Sequence, residues 1–275
     1  MLERVSERIG IVTGSGKLPG IAVSEALLGS VPFKVYTTDD SVKLPSVTYD
    51  IESVKIEKFG RLLKLLKKDK ITQLVILGKM YKDVLLRDIG FDLKALSVIR
   101  KMKNKSDHTL YTAIATEIEK AGIEILPQTS LLKTLVAQEK FYTKGKLSKE
   151  QQSDIDFGLV QAVKLSELDI GQTVVVSRGI VLAVEALEGT DATIRRGGSL
   201  AKQGSAVVCK ATRTTQDIRF DIPTIGLTTL KTMQKYNCTV LAVEAGRTLL
   251  VDQQKMVETA EKSGIIIVAK SILRR

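Results

Sequence analysis

Residues 8–20, RIGIVTGSGKLPG, decide how the first half of the chain is read. A short apolar run breaks at Gly14 and Gly16, and a helix starts near Leu18 with Pro19 in its first turn, where a missing N–H does no harm. A strand that turns through glycines into a helix is the opening unit of a parallel α/β sheet. Backbone N–H groups at such a helix start can hold a phosphate or sugar oxygen, so Gly14 and Gly16 are candidate substrate-binding residues; a plain tight turn is the equal alternative. Pro19 stands where a dinucleotide fingerprint has its third glycine, and the P-loop pattern is not met either.

The same alternation continues outward. A helix ends at Gly29, FKVYTT (33–38) reads as a strand, and residues 56–70 place Phe59, Leu62, Leu63 and Leu66 on one helical face. ITQLVILGKM (71–80) is a buried strand ending at Gly78, two helices follow over 92–102 and 108–122, and IEILPQ (123–128) closes the pattern. Strands alternating with helices predict a doubly wound sheet, so residues 1–132 are read as a Rossmann-like N-terminal domain. The charged stretch from Ser130 to about Ser153 reads as an inter-domain connection. Beyond it come a helix, a hairpin around Arg178-Gly179, and further strands and helices to Ala269. Residues 133–275 are therefore expected to form a second α/β domain, the catalytic one.

Composition narrows the chemistry. The chain has 275 residues, two cysteines and one histidine. With only His108 available, a His-rich metal site cannot be built, and its place just after Ser106 and Asp107, either of which would cap a helix, reads as a solvated first-turn residue. Any metal must be held by oxygen ligands, which points to Mg²⁺ or Mn²⁺. Cys209 and Cys238 lie in apolar runs and read as a buried reduced pair. No apolar stretch is long enough to cross a bilayer, and charges interrupt the N-terminus where a signal peptide would be apolar; a soluble cytoplasmic protein is the expectation. The formal charge of +11 asks for an anionic partner. The basic runs at 64–70 and 100–105 lack interleaved aromatics, so they read as solvated helix faces and no nucleic-acid partner is expected.

Two segments carry the chemistry. EALEGTDATIRRGG (185–198) places Glu185, Glu188 and Asp191 within seven residues, just after a buried strand and beside Gly189. Carboxylates so close repel one another unless a cation sits among them; a divalent metal would serve, as would Arg195 and Arg196 folded back. A capped loop-to-helix turn with Thr190 or Asp191 as N-cap needs no ligand. KATRTTQDIRFDIPTIG (210–226) adds Lys210, Arg213 and Arg219 to Asp217 and Asp221, followed by Pro223, Thr224 and Gly226. Cations that clamp phosphate oxygens and carboxylates that hold a metal or orient water suit phosphoryl or pyrophosphate chemistry; a solvated, salt-bridged loop is the bland alternative.

The wording of these segments resembles a known family. LDIGQTVVVSRGIVLAVEALEGTDATIRR (168–196), QDIRFDIPTIG (216–226) and LAVEAGRTLLVD (241–252) look like the carboxy-terminal half of the LpxI family, while IGIVTGSGKLPG (9–20) and the 57–80 region resemble its amino-terminal half. The resemblance implies a UDP-2,3-diacylglucosamine pyrophosphatase of lipid A biosynthesis. Such an enzyme uses a divalent metal, usually Mg²⁺, and water attack on the α-phosphorus to release UMP and 2,3-diacylglucosamine 1-phosphate. Carried over by motif, Asp221 is the catalytic acid. Glu188, Gly189, Thr190 and Asp191 would surround metal and phosphates, with Glu188, Asp191 and Asp221 as metal ligands. Lys210 and Thr224 are expected phosphate contacts, and Gly14, Gly16 and Lys79 would face the ligand from the first domain. Arg213-Thr214 stands where the family usually has Lys-Pro. The resemblance also implies peripheral contact with the inner-membrane surface, and a homodimer is expected. A non-catalytic nucleotide-sugar or RNA-binding protein is the alternative reading.

Overall fold

The computed structural model describes residues 8–78, 90–101, 107–201 and 206–272. Contacts divide the chain into two units. One runs through Lys133 and also takes in Ile218–Phe220; the other comprises Thr134–Asp217 and Asp221–Arg275.

The first unit runs β1 (Ile9–Thr13), α1 (Leu18–Leu28), β2 (Phe33–Thr37), β3 (Ile51–Ser53), α2 (Phe59–Lys68), β4 (Gln73–Leu77), α3 (Leu93–Lys101), α4 (Asp107–Glu119) and β5 (Glu124–Ile125). Its sheet has the order β3-β2-β1-β4-β5, and all its pairings are parallel. Parallel strands covered on both faces are apolar throughout rather than alternating, which explains the unbroken runs Ile11–Val12 and Leu74–Leu77. Helix α2 buries Phe59, Leu62, Leu63 and Leu66, the face that its spacing predicts, and leaves Lys64, Lys67 and Lys68 in solvent.

The carboxyl ends of β1, β2 and β4 are in register, with Thr13 beside both Thr37 and Leu77. Gly78, at φ +90°, follows β4 so closely that a Cβ there would lie 2.6 Å from the Ser15 carbonyl. Helix α1 has no side-chain cap. The close approach that a dinucleotide fingerprint assigns to its third glycine falls here on Gly20, whose Cβ would meet the Lys43 carbonyl at 2.4 Å.

The second unit runs β6 (Lys140–Phe141), α5 (Lys149–Glu167), β7 (Thr173–Ser177), β8 (Ile180–Val184), α6 (Thr190–Leu200), β9 (Ala206–Lys210), β10 (Thr224–Ile225), α7 (Leu227–Lys235), β11 (Cys238–Glu244), β12 (Leu249–Leu250), α8 (Gln253–Lys262) and β13 (Ile266–Lys270). The main sheet is β6-β13-β11-β9-β7-β8. Strands β13, β11 and β9 are parallel, while β7 and β6 add antiparallel neighbours at either side. One face packs Val175, Val208, Leu241 and Ile267 against α6, α7 and α8; the other packs Val174, Val207, Val240 and Val268 against α5.

Helix α5 begins earlier than the sequence reading placed it. Ser148 accepts a hydrogen bond from Gln151 N–H at 3.1 Å, and the Gln151 side chain accepts from Ser148 N–H at 2.9 Å, a reciprocal capping box. The charged stretch read as a connection is therefore in part the first turn of a 19-residue helix. The β7–β8 hairpin turns through Arg178 and Gly179, both at positive φ, the two-residue geometry that matches strand twist. Buried Asp154 of α5 accepts from both of their N–H groups, at 2.8 and 2.6 Å. Among the described residues no helix is long and apolar enough to cross a membrane.

Candidate active site

In open α/β sheets ligands gather beyond the carboxyl ends of parallel strands. In the second unit those ends are Lys210 on β9 and Glu244 on β11, and the loops that follow them build the site.

Lys210 is 5% exposed. Its ammonium donates to Thr190 Oγ1 at 2.9 Å and Thr173 Oγ1 at 3.2 Å, and lies 3.6 Å from Glu185. Thr190 in turn donates to Glu185 Oε1 at 2.8 Å, and Gln172 N–H donates to Oε2 at 3.3 Å. Burial depresses the Lys210 pKa, opposed by the negative charge of Glu185, Asp221 and Asp191. Burial pushes Glu185 the other way, but the Lys210 charge and the hydrogen bonds prevail and hold its carboxyl below the ordinary range. Lys210 is thus the positive group that the crowded acids require. Arg196 supplies a second, donating to Glu188 at 2.6 Å and to the Val184 carbonyl at 2.8 Å.

Helix α6 starts at Gly189, at φ +82° and without a side-chain cap. Neither Thr190 nor Asp191 is the N-cap, because Thr190 spends its hydroxyl on Glu185 and Lys210. Asp191 falls in the first helical turn, where a negative charge is favoured, and its Oδ1 is buried with no hydrogen-bond partner.

A polar pocket of about 230 Å³ opens over this group, lined by Glu185, Asp221, Gln172, Arg213, Gln216 and Asp169 among others. Gln216 Nε2 donates to Asp221 Oδ2 at 2.7 Å and to its carbonyl at 3.2 Å, fixing the side chain. Arg213 pairs with Asp169 at 2.9 Å, and its N–H donates to Ser166 Oγ at 2.9 Å. The Arg213 loop is braced from below: Glu244, 3% exposed, accepts from Thr212 N–H at 3.1 Å, and Arg247 donates to the Arg213 and Thr214 carbonyls. The first unit has an apolar cavity of its own, of about 80 Å³, lined by Phe59, Leu62, Ile76 and Ile114 among others.

Of the residues proposed from sequence, Thr190 and Lys210 join Glu185 in one hydrogen-bonded group, and Asp221 lines the same pocket. Lys210 occupies a supporting place beneath Glu185, not an open phosphate clamp. Glu188 turns to Arg196, and Gly189 caps α6. Thr224 lies in β10, its hydroxyl donating to the Ile222 carbonyl at 3.1 Å. Gly14 and Gly16 (φ +107°) lie in the β1–α1 turn of the first unit, and Lys79 lies outside the described residues. Sequence reasoning passed over Gln216 and Gln172, because neutral amides announce no chemistry until their carboxylate partners are placed. Among the described residues no three His, Cys, Asp or Glu side chains converge to hold a cation.

The LpxI N-terminal domain matches residues 8–135, and the LpxI C-terminal domain matches residues 138–268. The UDP-2,3-diacylglucosamine pyrophosphatase LpxI of Caulobacter vibrioides is 30% identical over 270 residues, covering 94% of this chain and 96% of its own. Among solved structures, the Bordetella bronchiseptica enzyme WbmG in complex with NAD is 22% identical over 45% of this chain and 37% of its own, with a TM-score of 0.29. A UDP-glucose 4-epimerase from Thermotoga maritima, with UDP-glucose, is 11% identical over 52% of this chain and 42% of its own, at 0.30. Likenesses this slight carry no weight for either unit, whereas the domain matches span both halves. The chain belongs to the LpxI family.

Proposed function

We propose that this protein hydrolyses UDP-2,3-diacylglucosamine to UMP and 2,3-diacylglucosamine 1-phosphate, the substrate being the one in the name of its Caulobacter relative. The observation that carries the reading is the polar pocket that Asp221 and Glu185 both line, with the buried Lys210 3.6 Å from Glu185. Asp221, oriented by Gln216, accepts a proton from the attacking water at the α-phosphorus. Arg213 at the pocket wall offsets charge developing on the phosphoryl oxygens. Lys210 keeps Glu185 ionised and in place.

A divalent cation, Mg²⁺ or Mn²⁺, fits part of this donor set. Such ions take one or two carboxylates together with substrate phosphates, and the unpartnered Oδ1 of Asp191 offers one such oxygen. Asp191 and Asp221 would hold it, with Glu188 left to Arg196. When bound, the ion supplies Lewis-acid polarisation of the phosphoryl group. Gly189, at the α6 start, lets a phosphate approach the helix N–H groups closely. Thr224, exposed in β10, is a weaker candidate contact.

In the first unit the parallel order β3-β2-β1-β4-β5 supports a Rossmann-like reading, with Gly14, Gly16 and Lys79 as candidates for a sugar or phosphate oxygen. The charge of +11 suits peripheral approach to an anionic bilayer holding the acyl chains. Hydrolysis in ¹⁸O-labelled water tests the route: label in the UMP supports attack on the α-phosphorus, and label in the lipid phosphate refutes it.

A further inference from the structure

Helix α2 has two unlike faces. Phe59, Leu62, Leu63 and Leu66 lie in the apolar core of the first unit, so its apolar stripe is already covered. Arg61, Lys64 and Lys68 run along the opposite side, at i, i+3 and i+7, and all are exposed. Lys67 beside them and Lys70, just past the helix end, are exposed as well. Asp69 is the one acid between residues 59 and 70, and its side chain, 16% exposed, is engaged within the unit. Its Oδ2 accepts from Lys34 Nζ at 2.8 Å and from the buried Tyr36 hydroxyl at 2.7 Å. Glu52 also pairs with Lys34, at 3.3 Å, and reaches Arg61 at 3.8 Å. The helix start is tied down by Asp92, whose Oδ2 accepts from the N–H groups of Gly60 and Arg61 at 2.7 and 3.3 Å. A rigid helix thus presents a row of cations whose nearest acid in sequence is turned to other partners.

We propose that the outer face of α2 docks this protein on an anionic lipid bilayer, with Lys64, Lys67 and Lys68 among the headgroup phosphates. This rests on the reading of the substrate as a diacyl lipid, which resides in such a bilayer. Lysine ammoniums are compact point charges on flexible stems, and a fluid array of phosphates offers no fixed geometry for a bidentate fork. RNA fits this face less well, because its bases would find no aromatic ring between Gly60 and Lys70 on which to stack. The apolar stripe of α2 is buried in the core, so the helix lies on the headgroups and does not insert. The contact is therefore electrostatic and weakens as salt shortens the screening length.

The test is cosedimentation of the full chain with vesicles, each variant first shown to be folded by circular dichroism. The parent is expected to bind phosphatidylcholine vesicles containing about one-third phosphatidylglycerol, to leave pure phosphatidylcholine unbound, and to be released at about 0.5 M salt. Each basic residue near an anionic surface strengthens binding about fivefold, so Lys64→Gln, Lys67→Gln and Lys68→Gln together are expected to weaken it roughly a hundredfold. Arginine at the same three positions keeps the charge and is expected to hold binding within about threefold of the parent. Lys231→Gln, Lys255→Gln and Lys262→Gln, at exposed positions of α7 and α8, remove the same charge elsewhere and are expected to change binding less than about threefold. Equal losses in the two glutamine triples overturn the proposal, as does a parent that ignores the anionic vesicles or binds single-stranded RNA more tightly than it binds them. In a second arm the α2 glutamine triple is expected to release UMP more slowly from substrate carried in anionic vesicles and at the parent rate from substrate dispersed in detergent. Should the parent release no UMP in either form, the functional reading fails while cosedimentation still decides the docking face.

Discussion

The Lys210 ammonium and the Glu185 carboxylate lie 3.6 Å apart, bridged by the Thr190 hydroxyl, which accepts from the lysine and donates to the glutamate. Nearly shut off from water, each group stabilises the charge of the other. Removing one partner of such a buried pair costs about 3–5 kcal/mol. Lys210→Met is expected to destabilise the protein by about that much, measured as a shift in the urea unfolding curve. Lys210→Met combined with Glu185→Leu is expected to recover a large part of it, because no uncompensated charge remains.

The same pair sets a pH dependence. The folded-state pKa of Glu185 is depressed below its ordinary 4.5, so the group contributes stability that is fully present above the unfolded pKa and lost as pH falls through the folded one. Lys210, depressed below 10.5 by burial, acts at the alkaline end. Its penalty is present at neutral pH and is relieved as pH rises through the window between the folded and unfolded values. Urea midpoints followed below pH 5 should decline more steeply in the parent than in Glu185→Gln.

How much of this was legible in the sequence differs between the two halves. RIGIVTGSGKLPG announced β1 and α1, because a strand, a glycine turn and a helix with an early proline are local events. The Ser148–Gln151 cap was equally local and was hidden only by the charged residues around it. What sequence could not give was the cation for the acids at 185–191. Lys210 lies 25 positions beyond Glu185 and reaches it only because β9 and β7 are sheet neighbours. Nor does spacing reveal that Phe220, one residue before Asp221, belongs to the core of the other unit.

Gly171 has no room for a side chain. A Cβ there would stand 2.2 Å from the Glu185 carbonyl and 2.9 Å from its Cβ. Gly171→Ala forces the β8 end away from β7 and is expected to cost about 1–3 kcal/mol, the usual range for overpacking. Because it displaces Glu185, turnover should fall as well, read from initial rates of UMP release.

Cys209 and Cys238 are both essentially inaccessible. Burial raises the Cys238 thiol to about 12 and the Cys209 thiol further still, so neither carries appreciable thiolate near neutral pH. A chromogenic disulfide reagent at pH 8 is expected to label neither in the native protein and both in denaturing urea. Rapid native labelling of either would contradict their placement in β9 and β11.

The central claim, that Asp221 activates water for cleavage of the pyrophosphate bond, is tested most directly by UMP release from UDP-2,3-diacylglucosamine with Mg²⁺, comparing the parent with Asp221→Asn. That substitution keeps the shape and the contact with Gln216 while removing the base. The account predicts steady UMP release by the parent and a fall in kcat of at least about a hundredfold in Asp221→Asn, within the range that general-base catalysis supplies. Full activity in a folded Asp221→Asn protein would contradict it.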